Sequence, residues 1–373
     1  MFIIKKNISK PKFFGFLFGL ILILTQINIV YGLPLVLFSL IIFSEKIALN
    51  KKDRLLFFFT TLQLLWFLMM FVLFPVNFNH WVKHFALFLI IFIIIVSKID
   101  FNFINGICIS LSLLLLLDFA FNLTTIFAGV DPFGRIPITR PDDFLPRLGG
   151  VFGHSFFSLN ISFLGIISAC FKRNKSILLL SIFNILLIGI LRGFILLIIL
   201  LIAFLIIRKG VSFFKIKIYS FLIVLSVFAI TVYSVTLNFS TANVMRVFAW
   251  SNAINNISLN PFYGKQDFYS DDIETISFET IENFGVTESQ YLEVAVHYGV
   301  FPSLLFFIIM TLMLQKSYNE FVNPKQLNSQ TKIILISTFI IFIDTFYGSI
   351  FGGPLTSVFL TLLIFSTNKN ITN

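Results

Sequence analysis

Residues Phe13–Ser44 read FFGFLFGLILILTQINIVYGLPLVLFSLIIFS, a run of 32 residues without one charged side chain. As a single helix, at ~1.5 Å per residue, this run would be about 48 Å long. A bilayer hydrocarbon core is only roughly 30 Å thick. The run must therefore break, and Tyr31-Gly32-Leu33-Pro34 predicts the place, because glycine and proline both disfavour a helix interior. Two spans from one run make the chain polytopic. No A-x-A-like cleavage site follows the first apolar stretch, so that stretch is expected to stay as a span.

The rest of the chain repeats the pattern. Of its 373 residues, 58% are hydrophobic and 12% are charged, with 52 phenylalanines and a mean hydropathy of +0.97. That much apolar surface cannot fit inside one water-soluble core. Apolar runs fall at about 13–30, 33–44, 55–74, 84–97, 103–126, 150–171, 176–191, 193–207, 218–237, 289–314, 333–347 and 350–367. A second 32-residue run, Ser176–Ile207, is expected to break at Arg192-Gly193. The expected fold is all-α, a polytopic integral membrane protein of about twelve transmembrane helices. One membrane domain, 1–373, carries two long extracytoplasmic loops at about 127–149 and 238–288, and no repeat divides it. Loops of such length in a compact domain tend to be functional.

Charge sidedness supports this topology. Lys5, Lys6, Lys10 and Lys12 place the N-terminus in the cytoplasm by the positive-inside rule. Alternation then gives the inner segments 17 lysines and 3 arginines against 4 acids, a balance of +16. The outer segments hold 2 lysines and 5 arginines against 13 acids, a balance of −6. The net charge of +10 therefore reflects orientation, and nucleic acid is not an expected partner. Cys108 and Cys170 lie in apolar runs and read as inert small hydrophobes. His80 and His84 flank Trp81 and read as an interfacial anchor, and no histidine spacing marks a metal site.

Lysine obeys the rule, and arginine does not. Arg135, Arg140, Arg147, Arg192 and Arg246 all fall outside, against Lys83 and Lys265 alone among lysines. Planar, bidentate recognition of phosphate or carboxylate favours arginine. Alternatively these arginines pair with loop acids such as Asp131, Asp142 and Asp143. Arg192 divides two very hydrophobic stretches and has no acid near it in sequence. A charge at membrane depth points to function; the plainer reading is a snorkelling turn residue.

Three stretches carry further signals. Arg147-Leu-Gly-Gly-Val-Phe-Gly-His154 opens a span, and its glycines allow close approach of a ligand to backbone. Amides at that helix start could add to anion binding. From Arg246 to Asn260, apolar residues at 247, 250, 254 and 257 keep helical spacing, and Asn260-Pro261 stops the helix. Arg246 then rides an amphipathic helix along the outer face, anchored by Trp250. An acid-rich stretch follows, from Asp267 to Glu282, read as a solvated lid or, as the sharper alternative, a binder of sugar hydroxyls. Glu288-Ser-Gln-Tyr291-Leu292-Glu293 enters the next span, where Glu288 is a candidate base, an acceptor-hydroxyl ligand or simply a helix-start acid.

Together these stretches resemble the O-antigen polymerase (Wzy) and O-antigen ligase superfamily. The resemblance rests on Arg147 with Gly149, Gly150 and Phe152; on Arg246, Trp250, Asn260-Pro261 and Gly264; and on Glu288-Ser-Gln-Tyr291-Leu292 with Gly299 beyond. The Arg192-Gly193 turn also fits, and the matches run in order across residues 147–299. Ligases typically carry His-Asn where this chain has Glu288-Ser289, which favours a polymerase. The Arg-x10-Gly pattern of some polymerases is absent at Arg135, Arg140 and Arg147.

The resemblance implies a GT-C-like membrane glycosyltransferase of the bacterial inner membrane. It would move glycan from undecaprenyl diphosphate to a sugar hydroxyl, with no cofactor, nucleotide sugar or metal. Its partners would be undecaprenyl-diphosphate-linked oligosaccharides and membrane lipids, with a chain-length regulator and a flippase as further candidates. Diphosphate is already a fair leaving group, so catalysis mainly needs positive charge on it and an oriented acceptor. Arg147, Arg192 and Arg246 are expected to bind the diphosphate, helped by Arg135 and Arg140, with Glu288 as base and His154 as runner-up. A ligase shares most of this chemistry. A flippase or transporter would instead line its spans with charge, and here only Asp118, Glu293, His297 and Asp344 enter the span ends.

Overall fold

The computed structural model describes residues 10–27, 29–43, 53–74, 78–97, 99, 101–137, 146–189, 253–264 and 290–321, with short pieces at 193–194, 197–198, 200, 358–359 and 361–364. The regular elements among these residues are all helices, and no strand occurs among them. In chain order the helices are α1 (Lys10–Ile27), α2 (Ile29–Phe43), α3 (Arg54–Leu73), α4 (Phe78–Val96), α5 (Phe101–Ala128), α6 (Ser155–Lys172) and α7 (Lys175–Ile188). A short helix α8 follows at 253–259. Then come α9 (Gln290–Tyr298) and α10 (Val300–Phe321). A single 3-10 turn, Gly150–Phe152, precedes α6.

Two helices, Arg54–Leu73 and Asn102–Ala128, are long and apolar enough to cross a membrane. Five shorter apolar helices accompany them: Gly32–Ile42, Trp81–Val96, Phe157–Lys172, Lys175–Ile188 and Val300–Met313.

The breaks differ from expectation in instructive ways. The first long run divides between Ile27 and Ile29, ahead of the expected tetrapeptide, and Pro34 sits inside α2. Gly32 instead serves packing, since a Cβ there would collide with the backbone of Thr25 on α1. The second long run ends its first helix at Ile188, capped by Gly189 with φ 74°. The helix therefore stops before the expected Arg192-Gly193, because a left-handed glycine is the ordinary C-terminal signal. The run at 289–314 is two helices, divided at Gly299 with φ 92°. The expected runs at 218–237 and 333–347 lie outside the described residues, and those at 193–207 and 350–367 are described only in pieces.

Neighbouring helices pack as a connected row: α10 on α3, α3 on α4, α4 on α2, α2 on α1, α1 on α5, and α5 on α6 and α7. Glycines let α1 and α5 pack backbone to backbone, at Gly15 and Gly19 of α1 and Gly106 of α5. A Cβ on Gly15 would strike the Phe103 carbonyl, and one on Gly106 would strike that of Lys12. At the far ends of α3 and α10, Lys316 Nζ donates to Asp53 Oδ1. Both cysteines are buried free thiols.

Candidate functional site

Two polar centres stand out, one on each side of the row. The first surrounds the entry to α6. Asp118, in the middle of α5, is completely buried, as are Asn122 one turn on, Ser158 and Ser162 of α6 and Asn184 of α7. Asp118 Oδ2 accepts from Ser158 Oγ and from Asn184 Nδ2 at 2.9 Å. Asn122 Nδ2 donates to Ser158 Oγ at 3.0 Å and to Asn184 Oδ1 at 2.9 Å, and Asn184 Nδ2 also reaches Ser162 Oγ at 2.9 Å. The remaining acceptors hold backbone. Val151 N donates to Asp118 Oδ1 at 3.0 Å, and Gly150 N donates to Asn122 Oδ1 at 2.9 Å. Gly150 takes φ 57°, and a Cβ on it would collide with Asp118, so only glycine fits this turn.

The same turn is gripped from the loop side. Asp131-Pro132-Phe133-Gly134 forms a tight turn after α5, with Gly134 N on Asp131 O at 2.8 Å and the Asp131 carboxylate accepting from the Phe133 and Arg135 amides at 2.8 Å each. Arg135 Nε donates to Asp131 Oδ2, and Nη2 donates to the carbonyls of Gly150 at 3.3 Å and Val151 at 3.0 Å. Burial raises the Asp131 pKa, but the Arg135 and Phe133 hydrogen bonds and the guanidinium charge outweigh it and hold the carboxyl below its usual range. Arg135 thus clamps the first loop to the α6 entry, the acid-paired alternative stated for it above.

Arg147 is half-buried just before this turn, and Leu148 N beside it donates to Ile188 O at 3.3 Å, at the end of α7. His154 is the N-cap residue of α6, its side chain does not cap the helix, and its ring lies 5.2 Å from that of Phe157. Arg135, Arg147 and His154 therefore gather around one turn. The glycines of this segment do let backbone approach closely, but what they approach is Asp118 and Arg135. Arg140, Arg192, Arg246 and Glu288 lie outside the described residues.

The second centre lies where α4 meets α9. Lys83 Nζ lies 3.2 Å from Glu293 Oε1, and His84 Nε2 lies 3.9 Å from the same oxygen. Tyr298 Oη is 3.4 Å from His84 Nδ1, and His297 is buried on the same helix. The interfacial reading of His84 and Trp81 is replaced: both are buried, and Trp81 Nε1 donates to Phe67 O at 2.9 Å. The cause is that α4 turns this face toward α3, where Phe67 contacts the rings of His84 and Tyr298.

The described part of the second long loop, 253–264, is fastened to this centre. α8 stops at residue 259 as its Asn-Pro signal predicts. Asn260–Gly264 then folds against the α9–α10 break, with Val300 N donating to Pro261 O at 2.8 Å. Gly264 (φ 69°) rests on the backbone of Val296 and His297, and Gly299 rests on the Phe262 carbonyl. Neither contact tolerates a Cβ. Ile254, Leu259, Phe262 and Tyr263 stay exposed, as suits a helix and turn lying along a membrane surface.

Both centres left traces in the sequence. Asp118 and Asn122 stand one helical turn apart inside an apolar run, which places them on one face. Lys83 is one of the two lysines that the sequence reading puts outside, and Glu293 is an acid inside an apolar run. No family model matches the chain, and no curated protein matches it.

Proposed function

We propose that the chain is a polytopic bacterial inner-membrane glycosyltransferase that polymerises lipid-linked oligosaccharide repeat units. In this reading about twelve helices span the membrane, both termini are cytoplasmic, and the two long loops face the exterior. The observation that carries it is the seating of Asn260–Gly264 on the α9–α10 break. Two of the three sequence stretches that resemble the polymerase and ligase superfamily, one ending at Gly264 and the other reaching Gly299, meet there through their glycines. The third stretch, Arg147–Phe152, is a turn held rigidly at the start of α6, its Gly150 and Val151 amides bound by Asn122 and Asp118, which leaves Arg147 as its anion-binding group in this reading.

The chemistry is transfer of a glycan from undecaprenyl diphosphate to a sugar hydroxyl of another lipid-linked unit. Arg147, Arg192 and Arg246 bind the departing diphosphate, helped by Arg140. Arg135 supports them indirectly, through its hold on the Gly150 and Val151 carbonyls. Glu288 orients or deprotonates the acceptor, and His154, at the head of α6, is the alternative. Deleting the gene and complementing with Arg147→Ala, Arg192→Ala or Arg246→Ala tests this on a gel of surface glycan. A single-repeat phenotype that none of the variants restores is expected; full rescue by all three ends the diphosphate-clamp reading. EDTA is expected to leave chain extension intact, and strict dependence on a divalent cation would refute the metal-free scheme.

One observation favours a second reading, a transporter of lipid-linked glycan. Asp118 and the Lys83–Glu293 pair are buried among apolar helices, where transporters keep their ionisable groups. The product separates the two. A transporter moves labelled donor across a proteoliposome without lengthening it, whereas a polymerase yields a ladder.

A further inference from the structure

Cations gather where α1 begins and α6 ends. Lys10 and Lys12 lie in the first turn of α1, and Lys172 is the last residue of α6. The charge of Lys12 reaches Lys172, and the Cys108 thiol of α5 lies near that same ammonium. The backbone explains the meeting. A Cβ on Gly106 of α5 would strike the Lys12 carbonyl, so α1 and α5 touch close to Cys108. Lys12 and Lys172 are half-buried, which strips water from two ammonium groups that repel each other. Neither forms an ion pair among the described residues. Lysines that only set orientation have no need to be buried together, since exposed ones serve the positive-inside rule as well.

The turn that follows adds two more cations. Arg173 caps α6 in the left-handed region at φ 56°, the one residue other than glycine with positive φ among the described residues. Glycine or asparagine is the ordinary choice at such a position, so arginine stands there for its side chain. Asn174 closes the turn, its side chain accepting from the Ser176 and Ile177 amides at 3.0 and 3.2 Å. Arg173 and Lys175 are exposed on either side of it. Apolar side chains border the patch. Phe13 and Phe14, next to Lys12, are 48% and 40% exposed, and Leu179, one turn along α7 from Lys175, is 55% exposed.

We propose that Lys12, Lys172, Arg173 and Lys175 form a binding site for the headgroup phosphate of an anionic phospholipid. The proposal rests on the membrane reading of this chain and not on glycosyl transfer. A phosphate between the Lys12 and Lys172 ammoniums supplies the negative charge that neither obtains from the described protein, and charge-assisted hydrogen bonds hold it. The exposed Phe13, Phe14 and Leu179 offer apolar surface to the acyl chains, which selects a lipid over free phosphate. Basic pockets between membrane helices recognise anionic headgroups in this way.

The test takes the purified full-length protein, delipidated in a neutral detergent, and titrates it with phosphatidylglycerol, phosphatidylcholine or inorganic phosphate. Native mass spectrometry counts bound lipid, and the melting temperature reads stability. Phosphatidylglycerol is expected to bind and to raise the melting temperature, and the other two to do neither. Lys12→Gln with Lys172→Gln is expected to weaken phosphatidylglycerol binding about 25-fold, about five-fold per lysine. Lys12→Arg with Lys172→Arg keeps both charges and is expected to keep the binding. Lys51→Gln with Lys52→Gln removes the same charge ahead of α3 and is expected to change the affinity less than about two-fold. Without lipid, the Lys12→Gln, Lys172→Gln protein is expected to melt no lower than wild type, because it loses two desolvated charges that repel. A lower value there assigns the lysines to the fold itself and overturns the site. Equal losses in the two glutamine pairs mean a diffuse field of charge, and an equal rise with inorganic phosphate means a free anion; either overturns the lipid site. Equal binding of phosphatidylglycerol and phosphatidylcholine by the wild type overturns it even where no variant folds.

Discussion

Replacing Asp118 by alanine asks what holds the α6 entry in place. The carboxylate accepts from Val151 N at 3.0 Å, from Asn184 Nδ2 at 2.9 Å and from Ser158 Oγ. These three donors do not suffer equally. The Ser158 hydroxyl can rotate to another acceptor, and Asn184 keeps its bond to Ser162 Oγ at 2.9 Å. Val151 N is backbone, fixed by the turn that Arg135 clamps, and has no such freedom. An orphaned buried amide costs roughly 1–3 kcal/mol, and each of the two weakened bonds about 0.5–1.5 kcal/mol. Relief of the carboxyl's own desolvation offsets part of that sum, which leaves a destabilisation of about 2–4 kcal/mol.

Asp118→Asn separates geometry from charge. Its carbonyl oxygen still serves Val151 N, but its amide group then meets the Asn184 Nδ2 donor. A loss of about 1–2 kcal/mol is expected, the size of one unmade bond. Reversible unfolding in mixed detergent micelles, followed by helical circular dichroism, reads both variants. Asp118→Ala within about 0.5 kcal/mol of wild type, the range of an inert surface change, would refute the view that this network fixes the turn.

Other outcomes follow from the same geometry. Gly299→Ala forces a side chain into φ 92° and onto the Phe262 carbonyl; a loss of about 1–3 kcal/mol and faster limited proteolysis next to Tyr263 are expected, and unchanged cleavage would count against the docked loop. Gly106→Val pushes α1 from α5 at the Lys12 carbonyl; overpacking of this kind costs about 1–3 kcal/mol or more, read by the same unfolding assay. The Asp131 carboxyl is held below its usual range, so its stabilising effect is complete above about pH 4 and fades as pH falls through the lower folded-state value. Asp131→Asn should therefore be less stable than wild type at neutral pH, and the two unfolding curves should converge in acid.

Much of the helical layout was legible because apolar runs and the lengths of spans are local properties. Residues Phe13–Ser44 had to break, and they do, but the site of the break was not local. Gly32 reads as a helix breaker, yet it sits within α2 because α1 passes so close there. Gly299 read as the end of a motif, and it turned one expected helix into two because Pro261 supplies a partner for Val300 N. The polar network was legible only in part. Asp118 and Asn122 share a helix face by spacing alone, but their partners on α6 and α7 are set by how three helices cross. Likewise Lys83 and Glu293 are separated by most of the chain, and no local pattern joins them. What the sequence did flag in each case was a charge in or beside an apolar run.

That flag can be refined by sorting the cations that the sequence reading puts outside. Lys83 and Arg135 each have a carboxylate partner, Glu293 and Asp131. As ion pairs they add no net positive charge, so they hardly oppose the charge sidedness expected from the sequence. The two pairs nevertheless differ. Arg135 is bound to one acid and two carbonyls and is fixed to a turn, a task its planar fork suits and a lysine could not copy. Lys83 offers a single compact ammonium to a buried acid, with His84 behind that acid. Arginine therefore stands where the fold needs several fixed donors in one plane, and lysine where it needs one. On that division, Arg147, half-buried beside the turn that Asp118 and Arg135 both grip, is the described arginine best placed to turn rigidity into recognition of an anion.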